Sequence, residues 1–450
     1  MRRREFLRRA GALSAGGLVS SLDLLPLTAQ AATGTDYKAL VCVFLFGGVD
    51  GNNIVVPLDT SGYGQYAAVR TASSGIQLTQ AELLPIAPAN VGTPFGLHPS
   101  MPDLQRHFNA GKLALLANVG TLTRPLTKAD YIAGERPENL YSHSDQQSQW
   151  QSALSDEVAR TGWGGRLADA LSTGAGQAFP MATTTAGANL FVTGVAAQPL
   201  AIPASGGLAL NGFGTTAASK ARLAALTALL DIDRGNTLVA AAADVTKRAQ
   251  ALSATVNPIL STTSAVLTTA FTGLTSSLSK QLLAVAKMIE ARATLSINRQ
   301  VFFVSLGGFD THTGQLATHK TLFNDLSTSL NAFYNATVAL GVAGQVTSFT
   351  LSDFGRTFQP SAGGGSDHAW GNHHLVLGGA VQGGRLYGKF PELVLGGPSD
   401  AEKEGRWLPT TSVDQYGAEL AAWFGASDAQ LAQVFPNLAA FGRGDVRFMG

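Results

Sequence analysis

The chain has 450 residues, a formal charge of +1, only 14% charged residues, 51 glycines and a single cysteine, Cys42. That balance excludes a nucleic-acid binder held by charge, one cysteine excludes an internal disulfide, and no later stretch is long and apolar enough to span a membrane. The composition is that of a soluble, loop-rich secreted protein built as one large α/β domain with insertions, or as two domains.

The N-terminus reads as an export signal. Arg2-Arg3-Arg4-Glu5-Phe6-Leu7-Arg8-Arg9 sets paired arginines before Phe-Leu, and a weakly apolar stretch then leads to Ala29-Gln30-Ala31, a small-x-small cleavage site. Gly16, Gly17, Ser20, Ser21 and Asp23 make that stretch too polar to stay in a bilayer as a spanning helix. Residues 1–31 are therefore expected to be a twin-arginine signal, read by the twin-arginine export machinery. The mature chain, 32–450, is expected in the periplasm or outside the cell. Removing the signal's net +3 leaves the mature chain near −2.

Four short, largely apolar runs follow as strands: Leu40–Phe46, Leu113–Ala117, Val301–Leu306 and Val346–Leu351, the last including Thr347, Ser348 and Thr350. Runs without alternation are buried on both faces, as in a parallel sheet covered by helices. Helices are expected over Met101–Gly111, Ser144–Leu154, Gly165–Leu171, Ser276–Ala293, His319–Leu340 and Ser412–Phe424. The Ala- and Thr-rich region about 179–275 reads as an inserted cap, with helix breaks at Asp231–Asn236 and at Asn257-Pro258. Cys42, inside the first run, reads as a buried inert thiol.

Three of the strands lead into an acidic residue: Asp50, Asp310 and Asp353. Open α/β sheets place their sites at the carboxyl ends of strands. Histidines cluster in the same neighbourhoods, in Asp310-Thr311-His312 and in Asp367-His368-Ala369-Trp370-Gly371-Asn372-His373-His374, with His143 just ahead of a predicted helix. Carboxylates and imidazoles together suit a divalent cation such as Zn, Mg, Ca or Mn. Taken singly, Asp50 and Asp353 read equally well as helix caps, and the histidines as partners in buried hydrogen bonds. Arg356 is placed either to clamp an anion or to pair with a neighbouring carboxylate. The elbow of an α/β-hydrolase, Gly-x-Ser-x-Gly, does not occur.

Gly47-Gly48-Val49-Asp50-Gly51-Asn52, Ser142-His143, Ser305-Leu306-Gly307-Gly308-Phe309-Asp310-Thr311-His312 and Ser352-Asp353-Phe354-Gly355-Arg356-Thr357 with Asp367-His368 form a specific set. In that set the chain resembles the family catalogued as domain of unknown function 1501, which is similar to the alkaline phosphatase superfamily of phosphatases, sulfatases and phosphodiesterases. The resemblance implies a three-layer α/β sandwich with a largely parallel central sheet. It implies divalent metal ions held by Asp50, Asp310, His312, Asp353 and His368 or His373, and a nucleophilic Ser142 at a helix N-terminus with His143 beside it. The expected activity is hydrolysis of a small anionic phosphate or sulfate ester. The alternative is a secreted binding or assembly protein that keeps the fold without turnover; a co-exported protein partner is implied by resemblance alone. Two departures stand out: Asp310 and His312 are closer in sequence than the superfamily pattern, and Phe354 stands where a ligand would follow Asp353.

Overall fold

Burial on both faces makes the first apolar run the centre of the fold. The computed structural model describes residues 36–172, 179–208, 213–442, 444 and 446–450, and the expected export signal lies outside them. Strand β1 (Lys38–Phe46) is buried along its whole middle. Val41, Val43 and Leu45 join one hydrophobic cluster, and Leu40, Cys42 and Phe44 join another on the opposite face. Cys42 is fully enclosed, and burial pushes its thiol well above the ordinary value, which leaves it inert.

Strands β2 (Val55–Pro57), β3 (Leu84–Ile86) and β4 (Phe95–Leu97) form a small separate antiparallel sheet. The others build a nine-stranded main sheet around β1: β5 (Leu113–Gly120), β6 (Ala182–Thr184), β7 (Leu200–Ala201), β8 (Arg299–Gly307), β9 (Val346–Ser352), β10 (Asn372–Gly378), β11 (Arg385–Tyr387) and β12 (Thr411–Ser412). The order is β11-β5-β10-β9-β1-β8-β6-β7, with β12 also paired to β5. Every pairing is parallel except those of β10, which is antiparallel to both β5 and β9.

Helices cover both faces. Ser277–Glu290 and Gln315–Ala339 bury Leu282, Val285, Phe323, Leu326 and Leu330 in the first cluster. Trp163–Leu171 and Val413–Phe424 bury Leu167, Leu420 and Phe424 in the second. The chain is thus a mixed α/β protein with a largely parallel central sheet. Among the described residues no helix is long and apolar enough to cross a membrane.

The 179–275 region differs from the expectation in two ways. Its first part supplies β6 and β7, which extend the main sheet beyond β8. The expected break at Asn257-Pro258 is absent, because the helix Thr237–Ser261 continues through Pro258. The proline falls in the last turn of that helix. The Asn257 side chain is meanwhile anchored to both the N–H and the carbonyl of Leu208.

Candidate functional site

The three adjacent strands β9, β1 and β8 end at one edge, and their following loops meet there. At the end of β1, Gly47 and Gly48 have φ of 111° and 76°. A Cβ on Gly47 would collide with the Asp310 backbone and one on Gly48 with the Phe354 ring, so this turn requires glycine. The close approach brings the β1 and β8 loops together. It also lets the Gly47 N–H donate to Asp353 Oδ1 at 3.1 Å.

Asp353, at the end of β9, is fully buried. Its Oδ2 accepts from Gln147 Nε2 at 2.8 Å and from His143 Nδ1 at 2.6 Å. His143 and Gln147 lie four residues apart on the helix His143–Ser152, hence on one face of it. Phe354 packs against two imidazoles, its ring centroid 4.8 Å from His143 and 4.6 Å from His368, and those two rings also touch each other at 4.5 Å. Phe354 therefore supplies aromatic packing to the histidines and no ligand atom.

Asp310 forms the centre. Its Oδ1 lies 3.0 Å from His312 Nε2, 3.2 Å from His368 Nε2 and 3.1 Å from Arg356 Nη1, while Oδ2 is 3.4 Å from His143 Nε2. The Nε2 atoms of His312 and His368 are 3.1 Å apart. Ligand atoms of His143, Asp310 and His368 all fall within 4.8 Å of one another.

Each imidazole is backed by an acceptor on its other nitrogen: His143 by Asp353, His312 by Asp367 at 2.8 Å, and His368 by the Tyr141 carbonyl at 2.8 Å. Carboxylate and carbonyl oxygens only accept, so the partners assign the proton of each neutral ring to Nδ1. Three Nε2 lone pairs then face one carboxylate. His143 Nε2 is buried and has no hydrogen-bond partner among the described residues. Burial, together with the charges of His143 and Arg356, holds His368 below the ordinary histidine value despite its bond to Tyr141. For Asp310 burial acts upward, but the Arg356 hydrogen bond and charge, with His312 and His143, outweigh it and hold the carboxyl low. Imidazole nitrogens grouped around an ionised carboxylate are the donor set of a divalent cation.

Tyr141 is held at φ 73°, a backbone conformation that an aromatic residue rarely adopts and that costs about 1–3 kcal/mol. Its side chain is fixed by a 2.7 Å bond to the Tyr131 hydroxyl and by Arg406, 4.5 Å over the ring. The carbonyl that orients His368 is thereby locked.

The sequence-derived residues separate into two groups. Asp310, His312, His143, Asp353, Arg356 and His368 come together. Asp50, expected as a ligand, lies outside the cluster because Arg70 claims both its oxygens, at 2.5 and 3.0 Å, with Asn52 and Gln315 on its remaining lone pairs. Burial would raise that carboxyl, and Arg70 reverses the shift. His373 is also buried elsewhere: Nδ1 accepts from the Asn118 N–H at 3.0 Å and the ring stacks on Phe390. Ser142 holds the N-cap position of its helix, yet its hydroxyl donates to the Asp145 carboxylate instead of facing the cluster. Arg356 is fully buried, and its donors go to Asp310, Gly47 O and Ser366. Sequence reasoning missed Gln147 and the orienting role of Asp367. Helical spacing from His143 pointed to the first, and adjacency to His368 to the second.

The family model described as "Protein of unknown function (DUF1501)" matches residues 37–400. No curated protein matches the chain. Among solved structures, the crystal structure of Ps i-CgsB in complex with k-i-k-neocarrahexaose is similar at 10% identity, over 88% of this chain and 74% of that one, with a TM-score of 0.32. A likeness at that score carries no argument.

Proposed function

The chain belongs to the DUF1501 family, and from that premise we propose that it is an exported metal-dependent hydrolase of phosphate or sulfate esters with an alkaline-phosphatase-like fold. The cation, Zn, Mn, Mg or Ca, would be held by Asp310, His143, His312 and His368. One observation carries the reading: three Nε2 lone pairs converge on a single carboxylate, two of them 3.1 Å apart. Such lone pairs repel unless a proton or a cation lies between them. With bonds near 2.0–2.1 Å, ligand atoms in a tetrahedral site stand about 3.3 Å apart, close to the spacings around Asp310.

A divalent cation there would neutralise the anionic oxygens of an ester and generate a nucleophile at neutral pH. The chain's own residues prepare the site. Asp353, Asp367 and the Tyr141 carbonyl fix the orientation and tautomer of the three imidazoles, the usual outer-shell arrangement of metal-binding histidines. Arg356 holds Asp310 ionised, and the Phe354 ring packs against both His143 and His368. Asp310 and His312 are each 45% exposed, which leaves room for a substrate to reach the cluster.

The second reading, a secreted binding or assembly protein, draws support from Ser142. As nucleophile, that serine would have to give up Asp145. The deciding experiment is metal analysis of purified mature protein, Zn²⁺ titration, and a panel of phosphate and sulfate esters, with His143→Ala and His368→Ala alongside. The hydrolase reading expects about one equivalent of metal, affinity lowered at least about tenfold in both variants, and turnover lost with the metal. Bound metal without turnover on any ester favours the binding protein. No metal retained by the wild type overturns both the ligand set and the chemistry built on it.

A further inference from the structure

We propose that Asp50 is a positioning residue for Asp310, acting at a distance through a one-way chain of hydrogen bonds; the proposal rests on the reading of Asp310 as a metal ligand. The chain has four members, Asp50, Gln315, Ser366 and Arg356, all with 0% of their surface exposed. Gln315 Nε2 donates to Asp50 Oδ2 at 2.6 Å. Ser366 Oγ donates to Gln315 Oε1 at 2.5 Å. Arg356 Nε donates to Ser366 Oγ at 3.0 Å, and Arg356 Nη1 donates to Asp310 Oδ1 at 3.1 Å.

The direction of the chain follows from its far end. A carboxylate accepts and cannot donate, so the Gln315 amide must turn its nitrogen toward Asp50. Its oxygen then faces Ser366 and takes the hydroxyl proton. With that proton committed, the Ser366 oxygen is free to accept from Arg356 Nε. The guanidinium is planar, so fixing Nε also fixes the aim of Nη1, which meets Gly47 O at 3.0 Å and Asp310. Each intermediate group could be inverted on its own; an amide or a hydroxyl fits either way round. The Arg356 end is fixed in any case, because a guanidinium N–H can only donate; what the acceptor-only Asp50 settles is the Gln315 amide and, through it, the Ser366 hydroxyl proton. Arg70 serves the same end by holding that carboxylate ionised and immobile, at 2.5 Å.

Asp310 needs this support. It sits on a loop, its carboxylate is partly exposed, and Arg356 is the buried cation that ties it to the interior.

The test uses Asp50→Asn in the full mature chain. The amide is the same size but brings an N–H₂ against the donors of Arg70 or Gln315, and flipping Gln315 to relieve the clash deprives Ser366 of its acceptor. Two readouts apply: Zn²⁺ affinity by titration, and the Arg356 Nε–H resonance and its exchange rate in metal-free protein. Zn²⁺ binding is expected to weaken about tenfold, with the Arg356 signal shifted and exchanging faster. Ser366→Ala, which leaves the Asp50–Arg70 pair intact, should act in the same direction and guards against a folding failure of the first variant. Tyr66→Phe removes another buried hydrogen bond of this region, to Asn53 at 2.8 Å, but lies off the chain; it should lower the melting temperature without moving either readout. If Asp50→Asn and Ser366→Ala leave both readouts at wild-type values, whatever their melting temperatures, Asp50 is only the partner of Arg70 and the proposal fails. A wild type that takes up no Zn²⁺ defeats the metal-site reading instead, and the Arg356 signal still decides whether the chain is coupled.

Discussion

Acidification from pH 7 to pH 5 should cost the folded state about 5 kcal/mol, and four buried imidazoles set most of that figure. His98, His319, His373 and His374 are each no more than 2% exposed. Burial is the first cause in every case, and it pushes His98 and His374 down to about 3 and His319 and His373 down to about 4. In the unfolded chain the same rings titrate near 6.5. Below that value the unfolded state therefore binds more protons, and stability falls with pH until the folded values are reached. At pH 5 each ring contributes a loss of about 2 kcal/mol, or about 7–8 for the four relative to pH 7. Asp414 acts in the opposite sense. Burial pushes its carboxyl up to about 7, so the fold takes up that proton first and recovers about 2 kcal/mol over the same range. The net loss is comparable with the whole stability of an ordinary domain. Urea unfolding of metal-free protein, followed by tryptophan fluorescence at pH 7, 6 and 5, measures it directly. His374→Phe adds a finer check. That ring lies 4.7 Å from Trp150 with an unpartnered Nε2, so an apolar ring suits the site and the pH slope should flatten by about 1.4 kcal/mol per unit. An unfolding free energy constant to within about 1 kcal/mol from pH 7 to 5 would refute the reasoning.

Other perturbations have equally definite outcomes. Arg70→Ala strands the Asp50 carboxylate in the interior and should cost about 3–5 kcal/mol in urea unfolding; a loss under about 1 kcal/mol would mean that Asp50 finds another partner or takes up a proton. Gly48→Ala drives a Cβ into the Phe354 ring at a positive φ and should cost about 1–3 kcal/mol while weakening Zn²⁺ binding, through the two imidazoles that Phe354 packs against. Ser142→Ala should cost at most about 1 kcal/mol and leave Zn²⁺ affinity unchanged; lost ester turnover with intact metal binding would restore the serine as nucleophile. Replacing Arg3 and Arg4 by Lys should leave full-length precursor in the cytoplasm on a cell-fractionation blot, and normal export would point to the general secretory route.

The parts of the fold that could be read from sequence are those in which one strand carries its own signal. β1, β5 and β8 are largely apolar on both faces, so no knowledge of neighbours was needed; β9 is buried on both but carries Thr347, Ser348 and Thr350 among its apolar residues. β10 was not legible, because its first residues, Asn372-His373-His374, are polar and look like a loop. Nor does anything local reveal that it runs against its neighbours. β6 and β7 have three and two residues, too few for a pattern. At the site, Asp310, His312, Asp353 and His368 were legible because strand ends converge wherever a sheet is parallel. Asp50 obeys the same rule and still lies outside the cluster. Its partner Arg70 arrives from the end of the helix Thr60–Val69, a tertiary encounter with no trace in the motif. His373 and His374 illustrate the same limit: adjacent in sequence, they pack against different rings, Phe390 and Trp150.

The reversed direction of β10 has a consequence for how such a protein can change. Because β9 and β10 are antiparallel neighbours, the chain leaves the sheet after Ser352 and re-enters it at Asn372 along the same edge, with no crossover helix between. Asp353, Arg356, Asp367 and His368 all ride on that single excursion, anchored at both ends by strands already paired in the core. Parallel neighbours would have needed a connection passing over the sheet, and any change of its length would have disturbed a packed layer. Here the turn 359–364 can vary while the sheet keeps its register, whereas Thr357, Phe358 and Ser366 are buried and bonded to Arg70, Arg356 and Gln315. Half of the cluster therefore behaves as a cassette, open to replacement by selection or by design, while the half on β8 and the helix His143–Ser152 remains tied to the scaffold.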